Sequence, residues 1–265
     1  MADYVLIRET LDWRRAGRAA LRDDAIRGLA EVWDATLGVP FTECRALIKE
    51  AALAFLAAIP GALVLMPEDR HDLRLAEGDL LLISDDDDWY DPAVFTALRA
   101  AGAAGRAGAV WPDGVYGFHS VWRPAAAGSE GPAIEEWLDA PKPRPLDDGR
   151  AFSPIKTNNY ALTSHWPGRL DGVLAHDAAA RALAPALADG RLLRLDRVLS
   201  LANRHPCSYL TLTTATAGRP PGPVMRRLVE TYAAKAAGVR LPLAMAWATP
   251  HIRRMAEIFS AVSGR

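Results

Sequence analysis

Four consecutive carboxylates, Asp85-Asp86-Asp87-Asp88, follow directly on the apolar run Leu80-Leu81-Leu82-Ile83-Ser84 and lead into Trp89-Tyr90-Asp91-Pro92. Carboxylates this close repel one another, so beside an apolar segment they need a compensating cation or full solvation. Their oxygens are hard ligands suited to Mg²⁺ or Mn²⁺, ions that keep several waters while bridging one or two carboxylates to substrate phosphates. In extended backbone alternate residues share a side, which pairs Asp85 with Asp87, or Asp86 with Asp88, on one ion. A solvated acidic turn is the competing reading. The apolar run before the carboxylates and the aromatic pair after them favour the metal.

These residues need a scaffold. Tyr4 to Ile7 reads as a strand, and Ala16 to Trp33 and Thr42 to Ile59 have the apolar spacing of amphipathic helices parted by Pro40. Ala62 to Met66 and Asp79 to Ser84 are continuous apolar runs, the pattern of strands covered on both faces. Alternating strands and helices predict an α/β sheet, with ligands gathering at the carboxyl ends of its strands. Asp91 before Pro92 signals a helix from Pro92 to Ala101 whose N-terminus would welcome a diphosphate beside the acidic run.

Further along, Ala109-Val110, Val115 to Trp122 and Asn159 to Thr163 look extended, His176 to Leu187 helical, and Tyr209 to Thr214 is a β-branched run. Pro124 to Arg150, dense in Pro, Gly and Ala, reads as a loop or lid whose Lys142, Arg144 and Arg150 would close over a diphosphate. Helices are expected over Pro223 to Ala237 and over Pro250 to Val262, the last capped by Thr249.

The composition narrows the classes of function. A chain of 265 residues, half of them hydrophobic, buries a large core without staples, and Cys44 and Cys207 make neither a disulfide framework nor a zinc site. The balance of 31 basic against 32 acidic residues carries no footprint for nucleic acid. The start has no leader pattern, and the longest apolar run, Ala51 to Ile59, falls well short of the roughly 20 residues of a membrane span, so a cytoplasmic protein without a membrane span is expected.

The segment from Leu81 to Pro92 resembles the strand, Asp-x-Asp-Asp motif and downstream proline of glycosyltransferases with the GT-A fold, especially the large inverting family and rhamnosyltransferase-like proteins. Arg204-His205-Pro206-Cys207-Ser208 is similar to the late His-x-x-Ser segment of the latter. The resemblance implies a single GT-A-like, Rossmann-related domain with a central mixed sheet flanked by helices. It would divide into a nucleotide-sugar-binding half (1–123), a lid (124–150), an acceptor half (151–222) and C-terminal helices (223–265). It also implies an inverting hexosyl or deoxyhexosyl transfer from a nucleotide-diphosphate sugar donor to a glycan, lipid-linked glycan, protein or small-molecule acceptor.

Residue by residue, the resemblance makes Asp87 the principal metal ligand, Asp85 a ligand or ribose neighbour, Asp88 a support that approaches the sugar, and His205 the histidine that completes the metal site. Arg8 and Thr10, at the end of the first strand, fall where the donor nucleoside is held, and Trp89 offers an aromatic face to a sugar. Asp171 and Asp177 are the candidate bases for the acceptor hydroxyl, and Lys156, Asn158, Asn159 and Tyr160 offer donors and acceptors to a hydroxyl-rich acceptor. The pattern departs in one place, since two helical stretches instead of one precede Ala62. A nucleotidyltransferase and a non-catalytic binding protein with an acidic turn are the rival readings, although no glycine- and lysine-rich phosphate loop follows the first strand.

Overall fold

The computed structural model describes residues 1–8, 20–112, 114–120, 136–138, 158–174, 176–208 and 222–264. Its larger sheet has six strands: β1 (Asp3–Ile7), β2 (Ala62–Leu65), β3 (Leu80–Ser84), β5 (Gly108–Val110), β8 (Tyr160–Leu162) and β9 (Leu192–Arg194). They lie in the order β2-β1-β3-β8-β5-β9. β1, β2 and β3 are parallel, and β8 runs antiparallel to both neighbours, so the sheet is mixed. A smaller sheet takes β4 (Trp89–Tyr90), β6 (Gly114–Ser120), β7 (Glu136–Leu138) and β10 (Ser200–Arg204) in the order β4-β10-β6-β7.

Alternation along β3 explains its burial. Leu81 and Ile83 join one apolar cluster with Val173, Leu174 and Leu183, whereas Leu80 and Leu82 join another with Leu56, Phe95 and Leu98. The first cluster is closed by α4 (Asp171–Leu174) and α5 (His176–Ala188), the second by α2 (Phe41–Ala57) and α3 (Val94–Ala100). Each fully buried Leu or Ile contributes about 1.5–3 kcal/mol. A third cluster joins α1 (Ala20–Leu37), α2, α6 (Gly222–Ala237) and α7 (Thr249–Ser263) to the smaller sheet through Trp33, Trp89, Tyr116, Leu201, Tyr232 and Phe259. Close pairing of β6 with β10 requires Gly117, whose φ is +106° and where any Cβ would stand 2.1 Å from the Arg204 carbonyl oxygen.

The chain leaves β1, passes through α1 and α2 to β2 on one side, and then crosses to β3 on the other side of β1. The carboxyl ends of β1 and β3 therefore frame a topological switch point, where ligands gather in open α/β sheets. Register sets Ile7 opposite Ser84, and the Arg8 N–H donates to the Ser84 carbonyl at 2.9 Å. Arg8 and Asp85 thus emerge side by side.

Three expectations need correction. The helix after the acidic run begins at Val94, two residues later than Pro92, and has only seven residues. Its start is already served within the chain, because the Asp91 Oδ1 accepts from the Ala93 N–H at 2.9 Å and the Asp91 carbonyl from the Val94 N–H at 2.8 Å, so a diphosphate is not needed there. Thr249 is the first helical residue of α7 and makes no side-chain cap. Within the anticipated lid, residues 136–138 form β7 on the edge of the smaller sheet; Lys142, Arg144, Arg150 and the run from Tyr209 to Thr214 lie outside the described residues. Among the described residues no helix is long and apolar enough to cross a membrane.

Candidate metal centre

Between β3 and β4 the acidic run is a turn, not an extended strand. A turn does not keep strand alternation, and the consequence is that Asp85, Asp87 and Asp88 each bring one carboxylate oxygen within 4.8 Å of the other two. Asp86 points instead to Arg45. The expected pair is a trio, with Asp88 joined to Asp85 and Asp87.

Each carboxylate is held by a different element. Arg8, at the end of β1, donates to Asp85 Oδ1 through Nε at 3.1 Å and Nη2 at 2.5 Å. Arg45 of α2 donates through Nη1 to Asp87 Oδ2 at 3.0 Å and through Nη2 to Asp86 Oδ1 at 2.8 Å. Asp88 accepts from the Asn158 side-chain amide at 3.0 Å and from the Asn203 N–H of β10 at 3.1 Å. Tyr232 of α6 fixes Asn203 in turn, donating to its Oδ1 at 2.6 Å. Tyr90 reaches back to the Ile83 carbonyl at 2.8 Å, closing the turn across β3.

His205 stands behind Asp87. Its Nδ1 accepts from the Cys207 N–H at 3.1 Å, and burial, outweighing the pull of Asp87, lowers its pKa, so the ring is neutral with its proton on Nε2. That proton is donated to Asp87 Oδ2 at 3.1 Å. The 3.3 Å approach of Arg45 Nη1 to Nε2 is therefore a contact between two donors sharing one oxygen. Both bonds to Asp87 fall on Oδ2, and Oδ1 is engaged by neither.

The electrostatics follow from this geometry. Burial by itself would raise the Asp87 carboxyl, but the His205 hydrogen bond and the Arg45 charge outweigh it and hold Asp87 below the ordinary carboxylate range. For Asp86 burial wins over Arg45, with Asp87 and Asp85 adding their repulsion, and the carboxyl is pushed up to about 6. Burial also opposes the charges of Arg8 and Arg45, yet their aspartates prevail and both pKa values rise. Among the described residues, two guanidiniums are ion-paired with three of the four carboxylates of this largely buried cluster.

Neither a protein-family model nor a curated protein matches the chain.

The other anticipated site residues fall in several places. Trp89 is buried, its ring stacked on His251 at 5.5 Å between centroids, so it faces the helical cluster instead of a sugar. Asn158, Asn159 and Tyr160 are fully buried: Asn158 serves Asp88, Asn159 donates to the Trp111 carbonyl at 2.7 Å, and the Tyr160 hydroxyl to the Val173 carbonyl at 2.8 Å. These three residues build the support beneath the turn instead of lining an acceptor pocket. His205 lies outside the converging trio and orients Asp87. Asp171 is exposed, pairs with Arg169 at 3.4 Å and is not part of the trio. Asp177 lies in α5 with its side chain outside the described set, where Thr10 and Lys156 also fall.

Arg45 and Asn203 were not anticipated. The signal for Arg45 is present, since Phe41, Cys44, Arg45, Ile48 and Ala52 share the buried stripe of α2, and an arginine on such a stripe needs an acidic partner. Asn203 acts on Asp88 through its backbone, for which side-chain identity gives no signal.

Proposed function

We propose that the chain is a divalent-cation-dependent glycosyltransferase, moving a sugar from a nucleoside-diphosphate donor to a hydroxyl acceptor. The observation that carries this reading is the convergence of Asp85, Asp87 and Asp88 at the carboxyl ends of β1 and β3. The donor set fits Mg²⁺ or Mn²⁺, because it offers carboxylate oxygens alone. Bound there, such an ion supplies positive charge against the negative charge that builds on a diphosphate leaving group.

The chain's own residues do the positioning. Arg8 orients Asp85, Arg45 and His205 orient Asp87, and Asn158 with the Asn203 N–H orients Asp88, so the trio is set before any ligand arrives. The sugar class rests on the resemblance of the β3 strand, acidic run and Pro92 to GT-A glycosyltransferases. Thermal denaturation with Mn²⁺ and a panel of nucleotides tests it. Stabilisation by nucleotide sugars and nucleoside diphosphates, dependent on Mn²⁺, is the expected result. Stronger stabilisation by nucleoside triphosphates than by nucleotide sugars would favour nucleotidyl transfer, and stabilisation independent of Mn²⁺ would overturn the metal site.

A further inference from the structure

The last two helices carry a patch that the acidic site does not use. Residues 238–248 connect α6 to α7, with a 3₁₀ turn at Leu243–Ala248. The buried Met245 and Ala248 anchor this turn, and the Met245 N–H donates to the Pro242 carbonyl at 2.9 Å. Leu243 is thereby held outward, 93% exposed, with Pro242, Ala244 and Ala246 exposed beside it and Trp247 half-buried at the base. Isolated exposed leucines are ordinary, but here the apolar residues are consecutive and displayed on a braced turn.

Basic residues flank this tip along the chain. Arg240 precedes it, Arg253 and Arg254 follow on α7, and Lys235 lies in the last turn of α6; the three arginines are exposed. From Thr231 to Ala256 the chain has these four basic residues and no acidic one, although the whole chain sums to −1. Arg254 pairs with Glu257 at 2.8 Å on the exposed face, which offsets its charge and leaves Arg240 and Arg253 as the basic pair flanking the tip.

We propose that this tip docks the protein peripherally on an anionic phospholipid surface. Leu243 enters the acyl boundary, and Arg240 and Arg253 meet lipid phosphates. A nucleic acid would match the cations but leave Leu243 in water. A second copy of the tip would set like charges against one another. The proposal is independent of the sugar-transfer reading.

Flotation of the full chain with phosphatidylcholine vesicles, with and without phosphatidylglycerol, tests it. Binding is expected to the anionic vesicles alone, and to fall as salt is raised. Leu243→Ser should weaken partitioning about tenfold, and Arg240→Ala and Arg253→Ala about fivefold each. Because Leu243 is exposed, Leu243→Ser should melt at the wild-type temperature, which separates lost docking from lost folding. Equal binding to both vesicles, binding to neither, or unchanged binding by Leu243→Ser overturns the proposal, as does a concentration-dependent dimer that Leu243→Ser abolishes.

Discussion

His205 and Asp87, 118 residues apart in the chain, meet at 3.1 Å with the imidazole Nε2–H directed at the carboxylate. The Cys207 N–H on Nδ1 fixes that tautomer, and Asp87 Oδ1 is engaged by neither His205 nor Arg45. Removing the donor should loosen Asp87 without removing an oxygen from the trio. His205→Phe is expected to weaken Mn²⁺ binding about 10–100-fold. His205→Gln, which can return an N–H to the carboxylate, should recover part of that loss. Isothermal titration of Mn²⁺ into each variant measures both.

Asp87 itself is a stricter test. Asp87→Ala should abolish Mn²⁺-dependent binding of a nucleoside diphosphate, a loss of more than about a hundredfold, since an outer partner alone is worth up to that much. Arg45 keeps Asp86 as partner in this variant, so the fold should survive. Unchanged diphosphate affinity would sink the metal reading.

Arg45 is the only guanidinium that bridges two of the four aspartates among the described residues. Arg45→Leu would leave Asp86 and Asp87 buried without their cation, at about 3–5 kcal/mol of stability. Added Mn²⁺ should therefore raise the melting temperature of the variant more than that of the wild type. Equal shifts would mean that the guanidinium and the metal site are not electrostatically linked.

A pH dependence follows from His251, packed between Phe55 and Trp89. Burial pushes its pKa down to about 4. Below its ordinary pKa of about 6.5 the unfolded chain takes up a proton that the folded chain refuses, so stability falls as pH drops from there to about 4, by about 3 kcal/mol in total. The Asp86 carboxyl, pushed up to about 6, acts in the opposite sense, because the folded chain holds that proton more tightly than the unfolded one. The His251 contribution is thus the difference between the wild type and His251→Phe in urea unfolding across that window. A difference that does not vary with pH would contradict it.

Much of the scaffold is legible in the sequence because apolar runs of strand length and helical spacing are local properties. Tyr4 to Ile7, Ala62 to Met66 and Asp79 to Ser84 coincide with β1, β2 and β3 to within a residue. Pairing partners are not local. Nothing in Tyr160-Ala161-Leu162 says that it enters antiparallel between β3 and β5, yet that insertion brings Asn158 to Asp88. The trio was half legible: alternation offers Asp85 with Asp87, and only the turn adds Asp88. Asn158, Asn159 and Tyr160 illustrate the converse, since polar side chains that look available to a ligand are used up inside the protein.

The antiparallel entry of β8 and the arrival of β10 also set an order of assembly on the ribosome. Arg8 and Arg45 are made before the acidic run, but Asn158, Asn203 and His205 are made after it, His205 by 118 residues. At about 5–20 residues per second, roughly ten seconds separate the synthesis of Asp87 from that of its last partner. Until His205 is made, Asp87 lacks the imidazole that orients it. On the proposed reading, tight cation capture would be acquired last, and a metal-binding signal during translation would mark the docking of the second half of the chain.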